Sequence, residues 1–90
     1  MQRTPARRCV DAASEVLRIA LQVSGLLDAA AQHCAAYRVA DARAALERAA
    51  AVEAQRGREP SARHWWVAAA VEMKRGDIEA ACGAMLRLAP

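Results

Sequence analysis

The chain has 90 residues, of which 56% are hydrophobic, 3% are aromatic and 26% are charged, and its formal net charge is +3. This length allows one small domain, which buries only about 60 to 65 per cent of the surface of its unfolded form and so has a marginal core. Because no apolar run approaches the ~18 residues of a membrane span and the charges are interleaved, composition argues against a membrane protein and against a basic nucleic-acid-binding stripe. The 25 alanines and few β-branched residues favour helix, so we expect a soluble, cytoplasmic, all-α protein.

The N-terminal part predicts a basic arm followed by an unusually apolar helix. Residues 1–7 are expected to be flexible, and residues 8–24 to form a first helix. Its polar stripe is narrow, with spacing i, i+4, i+7, i+11, and consists of Asp11, Glu15, Arg18 and Gln22. Such a helix needs cover on two sides, so it either lies centrally in the domain or docks a partner. If the chain dimerises, the expected interface is formed by Val16, Ile19 and Val23. Gly25 is expected to end this helix, since glycine is the common residue after a helix C-terminus.

Two further helices, residues 26–37 and 39–55, are predicted to form an antiparallel hairpin. A charged loop with Gly and Pro follows at residues 56–60. Ser61 is expected to cap a fourth helix that ends at Gly76, and Asp77 to cap a fifth. The chain should therefore form about five antiparallel helices and no sheet.

The two predicted hairpins share a pattern of large and small residues at a spacing of 39. In the second, the positions are Trp65, Ala69, Gly76, Ala81, Met85 and Leu88; in the first, they are Leu26, Ala30, Tyr37, Ala42, Leu46 and Ala49. This order resembles a tetratricopeptide repeat, in which small residues let two antiparallel helices approach closely. The resemblance covers residues 26–90, as one hairpin at 26–55 and another at 61–90. Tyr37 replaces the repeat's turn glycine, and Glu72 an aromatic residue, so an unrelated helical bundle remains the alternative.

The resemblance implies a concave groove along the first helix of each hairpin. Its lining would be Leu27, Ala31, Cys34, Ala35, Arg63, Trp66, Ala70, Met73 and Lys74. Small residues with one tryptophan, one methionine and two basic groups suit an amphipathic helix that has apolar anchors and an acidic flank. Because adjacent helical residues point about 100° apart, we expect Trp65 in the core and Trp66 in the groove. The alternative is that Trp66 and Met73 are ordinary core residues.

The function implied is a non-catalytic protein–protein interaction module. Small helical repeat proteins of this kind are similar to the cytoplasmic chaperones of bacterial type III secretion, which hold an amphipathic helix of a secreted subunit. A homodimer or a heterodimer is possible. The alternative function is a nucleic-acid-associated or regulatory protein that uses the arginines of its N-terminal arm, Arg3, Arg7 and Arg8.

No catalytic residue, cofactor or metal site is predicted. The serines lack the motif of an activated nucleophile, and His64 is expected to be a surface residue at a helix start. His33 and Cys34 are adjacent in a helix and cannot easily bind one metal ion together. The three cysteines are expected to be free, buried thiols, because their number is odd and no export signal precedes them.

Overall fold

A computed structural model describes residues 5–89 of the chain, with side chains from residue 8 onward. This part forms four α-helices and no strand: α1 (Pro5–Ala35), α2 (Val39–Gln55), α3 (Ala62–Arg75) and α4 (Ile78–Leu86). The predicted all-α class is confirmed, with four helices instead of about five. Residues 1–4 of the predicted arm lie outside the described part. The helix begins at Pro5, three residues before the predicted boundary.

The difference in helix number comes from Gly25, which lies inside α1 instead of ending a helix. Glycine in a helix interior costs about 1 kcal/mol relative to alanine, which other interactions can offset. Here Val23 and Leu27, on either side of Gly25, are both buried in the same core. They are four residues apart and share one face only if the helix continues between them. Burial of that face therefore offsets the cost of the glycine, and the prediction of a break at Gly25 is wrong.

The core is built mainly from small side chains at the junction of the first three helices. Its buried members are Val23, Leu27, Ala30, Cys34, Ala42, Ala45, Leu46, Ala49 and Val71. Alanine at these contacts allows close helix packing but supplies little apolar surface per residue, and Val71 is the largest fully buried side chain. The stability of this chain therefore depends on a few larger residues, chiefly Leu27 and Leu46.

The helices form two antiparallel hairpins, α1–α2 and α3–α4. Helix α3 packs against both α1 and α2, whereas α4, within the described residues, packs only against α3. The molecule measures 57 × 29 × 15 Å, and its radius of gyration is 16.1 Å, against about 12 Å for a compact chain of this length. The excess comes from α1, whose 31 residues span about 46 Å, while the 17 residues of α2 span about 26 Å. The N-terminal part of α1 therefore extends beyond the end of α2.

The turns of the two hairpins have the same backbone geometry, 39 residues apart. Tyr37 and Gly76 both have left-handed backbone conformations, with φ of 62° and 85°. The next residues, Arg38 and Asp77, have φ/ψ of −89°/71° and −92°/85°. In each turn the left-handed residue donates its N–H to the carbonyl three positions earlier, and its successor donates to the carbonyl five positions earlier. This is the hydrogen-bonding pattern of a Schellman C-cap.

Local capping signals fall where the sequence predicts them. The Ser61 hydroxyl accepts a hydrogen bond from the His64 N–H at 3.3 Å, and the Asp77 carboxylate accepts one from the Ala80 N–H at 2.9 Å. Each side chain satisfies a backbone donor that the first turn of its helix leaves unpaired. The predicted starts of α3 and α4 are therefore confirmed.

The cysteines are only partly as predicted. All three are free, but Cys34 alone is buried, whereas Cys9 and Cys82 are exposed. Cys9 is exposed because it lies on the extended part of α1, and Cys82 because it lies on the face of α4 that points away from α3. Within the described residues, no helix has the length and hydropathy needed to cross a membrane.

Candidate functional site

A surface groove of about 350 Å³ lies between α1 and α3. Its lining comprises Ala31, Cys34, Ala35, Trp66, Val67, Ala70 and Lys74. Six of these seven were predicted from the sequence. Three exposed alanines contribute to the lining, so another backbone can approach both helices closely. The Trp66 ring stands beside them and is 64% exposed.

The two ends of the groove differ in charge. At one end, three residues before Trp66 on α3, Arg63 forms an ion pair with Asp28 of α1. At the other end, the Lys74 Nζ lies 3.8 Å from the centre of the Tyr37 ring. Within the described part, Lys74 makes no ion pair with a carboxylate. The sequence predicted basic groups at both ends, but only the Lys74 end retains an uncompensated positive charge.

Three residues of the predicted lining lie outside this groove. Leu27 is 3% exposed and belongs to the core, because α1 turns that face toward α2 and α3. Arg63 pairs with Asp28 and lines a different cleft, which also contains Val23 and Ser61. Met73 is exposed but does not line the groove, because it lies on the neighbouring face of α3. Val67, which the prediction missed, precedes Ala70 and Lys74 by three and seven residues, and this helical spacing was the available signal.

The two adjacent tryptophans have different environments. Trp65 is half-buried at the edge of α3, where its ring meets His64 edge-on and Arg87 lies 5.3 Å from its centre. It lines a cleft with Pro60 and Leu88 and is not enclosed in the core. Trp65 is therefore less buried than the predicted core position requires. Its neighbours at this edge are Pro60 before α3 and residues 87 and 88 after α4, and none of them belongs to the core.

The residues predicted to form a dimer interface are largely occupied by the chain's own packing. Val23 is buried in the core, and Ile19 packs against it. Val16 is 42% exposed. Together they contribute to a cleft of about 320 Å³ between α1 and the segment after α2, with Arg56 and Arg58 at its rim. Because α2 covers this face of α1, Val23 could reach a second chain only if the core opened.

His64 is buried, not a surface residue as predicted. It is 7% exposed and belongs to a face of α3 that continues at Val67, Ala68 and Val71, all of which contact the core. Its spacing of three, four and seven residues from them was the missed signal. Burial lowers the pKa of His64 below its ordinary value, and the charge of Glu53 opposes this shift. The imidazole is therefore neutral at pH 7.

The remaining candidates from the sequence are a metal site and the basic N-terminal arm. Within the described residues, no three His, Cys, Asp or Glu side chains lie close enough together to hold a metal ion. Of the three arginines of the alternative hypothesis, Arg8 is exposed on the first turns of α1. Arg3 and the side chain of Arg7 lie outside the described part.

No protein-family model, curated protein or solved structure matches this chain.

Proposed function

We propose that this chain is a non-catalytic protein–protein interaction module that holds an amphipathic helix of a partner in the groove between α1 and α3. The observation that carries the proposal is Trp66, which is 64% exposed beside a surface of alanines. Tryptophan is among the commonest anchors of binding energy at protein interfaces. A large ring next to small side chains provides contact area and leaves room for another backbone.

The dimensions of the groove suit a short helix. From Trp66 to Lys74, α3 rises about 12 Å, which equals about two turns of a bound helix. The apolar lining favours a helix with one apolar face, whose residues would contact Trp66 and the alanines of α1. Such a helix would bury its anchors in the groove and keep its polar face in water.

The charges give the bound helix an orientation. Asp28 neutralises Arg63 at one end, whereas Lys74 keeps its charge at the other. An acidic flank of the partner would therefore lie beside Lys74. The C-terminus of a helix is also preferred there, because the helix dipole places partial negative charge at that end.

Chaperoning of a secreted protein is the more specific form of this proposal. What supports it is the tetratricopeptide-like order of large and small residues in the two hairpins, which recurs at a spacing of 39. A chaperone of this class would act in the cytoplasm and shield an aggregation-prone helix until export. The apolar lining of the groove suits such shielding, because a bound helix would have its apolar face covered and could not aggregate through it.

The test is a matched capture experiment with three forms of the full chain. Wild type, Trp66→Ala and Leu86→Ala are each used to capture proteins from the native host, and bound proteins are identified by mass spectrometry. Leu86 is the control because it is a 72% exposed apolar residue on α4, away from the groove. We expect wild type and Leu86→Ala to retain the same partner, and Trp66→Ala to lose it.

A synthetic peptide of the captured helix then gives the affinity by titration at low and high salt. An apolar groove should bind with little salt dependence, whereas contacts of the arm arginines with phosphate would weaken steeply. Equal capture by all three forms, or binding that salt abolishes, would refute the groove as the site.

A further inference from the structure

The cleft of about 320 Å³ between α1 and the segment after α2 is separate from the groove, because the two share no lining residue. Its volume is at the lower end of the range for small-molecule sites. The floor consists of apolar residues of α1 at spacings of three and four, which place them on one helix face: Val16, Ile19, Ala20, Val23 and Leu27. The opposite side contains Arg56, Arg58 and Arg63, and we call the site the arginine cleft.

The turn at the end of α2 brings two of these arginines to the cleft. Gly57 has a left-handed conformation, with φ of 68°. Its N–H donates to the Ala54 carbonyl, and the Arg58 N–H donates to the Glu53 carbonyl, each at 3.0 Å. This C-cap ends α2 and reverses the direction of the chain. Arg56 and Arg58, on either side of the glycine, therefore both line the same cleft.

The arginine cleft has one positive charge in excess. Within the described part of the chain, the side chains of Arg56 and Arg58 form no hydrogen bond and no ion pair. Arg63 is already neutralised by Asp28. Glu53 is the single carboxylate among the described residues of the lining, so it balances one of the two unpaired arginines. A ligand with one negative charge would balance the other.

A neighbouring carboxylate does not remove this excess. Glu15 lines an adjoining depression together with Arg56, but it accepts hydrogen bonds from Arg18, one of them at 2.6 Å. The pKa of Glu15 is lowered chiefly by Arg18, and Arg56 contributes least. Glu15 and Arg18 therefore neutralise each other, and Arg56 keeps its charge.

We propose that the arginine cleft binds a free fatty acid of medium chain length, with its carboxylate between Arg56 and Arg58. The planar guanidinium of arginine matches a carboxylate through two parallel hydrogen bonds. The alkyl chain would lie along α1, where Val16 and Ile19 are accessible above the buried Val23. From Val16 to Val23 the helix rises about 10 Å. An extended chain of about eight carbons has a similar length.

The polar groups of the cleft favour a free acid over the carboxyl end of a peptide, which has the same charged group. The three guanidinium groups can only donate hydrogen bonds, and Glu53 is the single carboxylate acceptor of the described lining. A fatty acid needs donors alone. A peptide also brings backbone N–H groups, which need acceptors that this cleft has in short supply.

The first test is a titration of the full chain with octanoate, followed by the chemical shifts of its backbone amides. Octanoate should shift amides of residues 16–27 and 53–63. Butanoate should bind at least about tenfold more weakly, because each buried methylene strengthens binding about threefold. Octanol, which lacks the charge, and inorganic phosphate, which lacks the chain, should each bind more weakly by a similar factor. N-acetyl-Leu-Leu with a free carboxyl group tests the peptide alternative and should also bind more weakly.

The second test uses matched variants, each checked for helical content by circular dichroism. Arg56→Gln/Arg58→Gln should weaken octanoate binding about tenfold or more, because a hydrogen bond to a charged group is lost. Arg48→Gln, which changes an exposed arginine of α2 outside the cleft, should not. Val16→Ser should weaken octanoate binding, whereas Val10→Ser, on the same helix but outside the cleft, should leave it unchanged.

Trp66→Ala separates this site from the groove, so the two proposals fail independently. It should leave octanoate binding unchanged, because Trp66 does not line the arginine cleft. Loss of octanoate binding in Trp66→Ala would place the ligand in the groove and overturn the proposal. Equal affinity for octanoate and octanol, tighter binding of the acetylated dipeptide, or octanoate binding that the double glutamine variant does not weaken would each overturn it as well.

Discussion

Leu46 and Met85 are 39 residues apart, the spacing of the pattern in the two hairpins, but they differ in burial. Leu46 of α2 is 6% exposed and belongs to the core at the junction of α1, α2 and α3, whereas Met85 is 51% exposed on α4, which within the described residues packs only against α3. Leu46→Ala and Met85→Ala remove similar amounts of side chain from equivalent positions. They should nevertheless differ strongly in their effect on the free energy of unfolding.

The expected magnitudes come from burial. The core that contains Leu46 consists largely of alanines, whose short side chains cannot move to fill a cavity. Its truncation should cost about 3 kcal/mol, within the range for buried leucines. Truncation of Met85 removes a side chain that is only about half buried and leaves no closed cavity, so it should cost about 1 kcal/mol. A chain of this size has a total stability of about 5 kcal/mol or somewhat more, so Leu46→Ala should retain only about 2 kcal/mol.

Urea unfolding followed by circular dichroism measures both values. The midpoint should fall much further for Leu46→Ala than for Met85→Ala, and the slope with urea should stay constant in a two-state reaction. Each variant is measured at several protein concentrations, because dimerisation adds to apparent stability. Leu86→Ala, which removes a still more exposed side chain of α4, should have almost no effect.

Equal losses for the two variants would refute the reasoning. That result would mean either that Met85 is covered in solution or that Leu46 does not carry the core. A larger loss at Met85 would show that the α3–α4 hairpin, not the junction of α1, α2 and α3, limits stability.

Three further predictions concern the turns, the buried histidine and the tryptophans. Gly76→Ala should destabilise the chain by about 1 to 2 kcal/mol, because the left-handed conformation disfavours a Cβ and there is otherwise open space around it. Tyr37→Gly should be stabilising by no more than about 1 kcal/mol, because relief of the same strain is partly offset by loss of the cation–π contact. The pKa of His64 is lowered by burial, so the unfolded chain binds a proton more readily as pH falls below about 6.5, and stability should decrease from pH 7.5 to 5.5. In His64→Gln the loss of stability between these pH values, measured by thermal unfolding, should be smaller. An unchanged pH dependence would contradict this prediction. Trp65→Ala should cost about 2 kcal/mol of stability because the ring is half-buried, whereas Trp66→Ala should leave stability nearly unchanged and weaken partner binding by about 2 kcal/mol. An equal loss of stability in Trp65→Ala and Trp66→Ala, measured by the same urea assay, would contradict the different roles of the two tryptophans.

Features that depend on a few neighbouring residues could be predicted from the sequence. Ser61 and Asp77 cap their helices, and Gly76 adopts the left-handed conformation at the end of α3, because each of these is decided within one helical turn. The bounds of α2, at 39–55, follow equally from local signals. Six residues of the groove were also predictable, because helical spacing determines which side chains share a face.

Burial was decided only by the tertiary structure. Gly25 has the local character of a helix end, yet α1 continues through it because Val23 and Leu27 are buried together. His64 has the polarity of a surface residue, yet it begins the face of α3 that meets the core. Trp65 has the size of a core residue, yet it lies half-buried at an edge beside Pro60 and Leu88. In each case the outcome depends on packing between segments distant in the chain, and a local propensity of about 1 kcal/mol is smaller than the burial energy that opposes it.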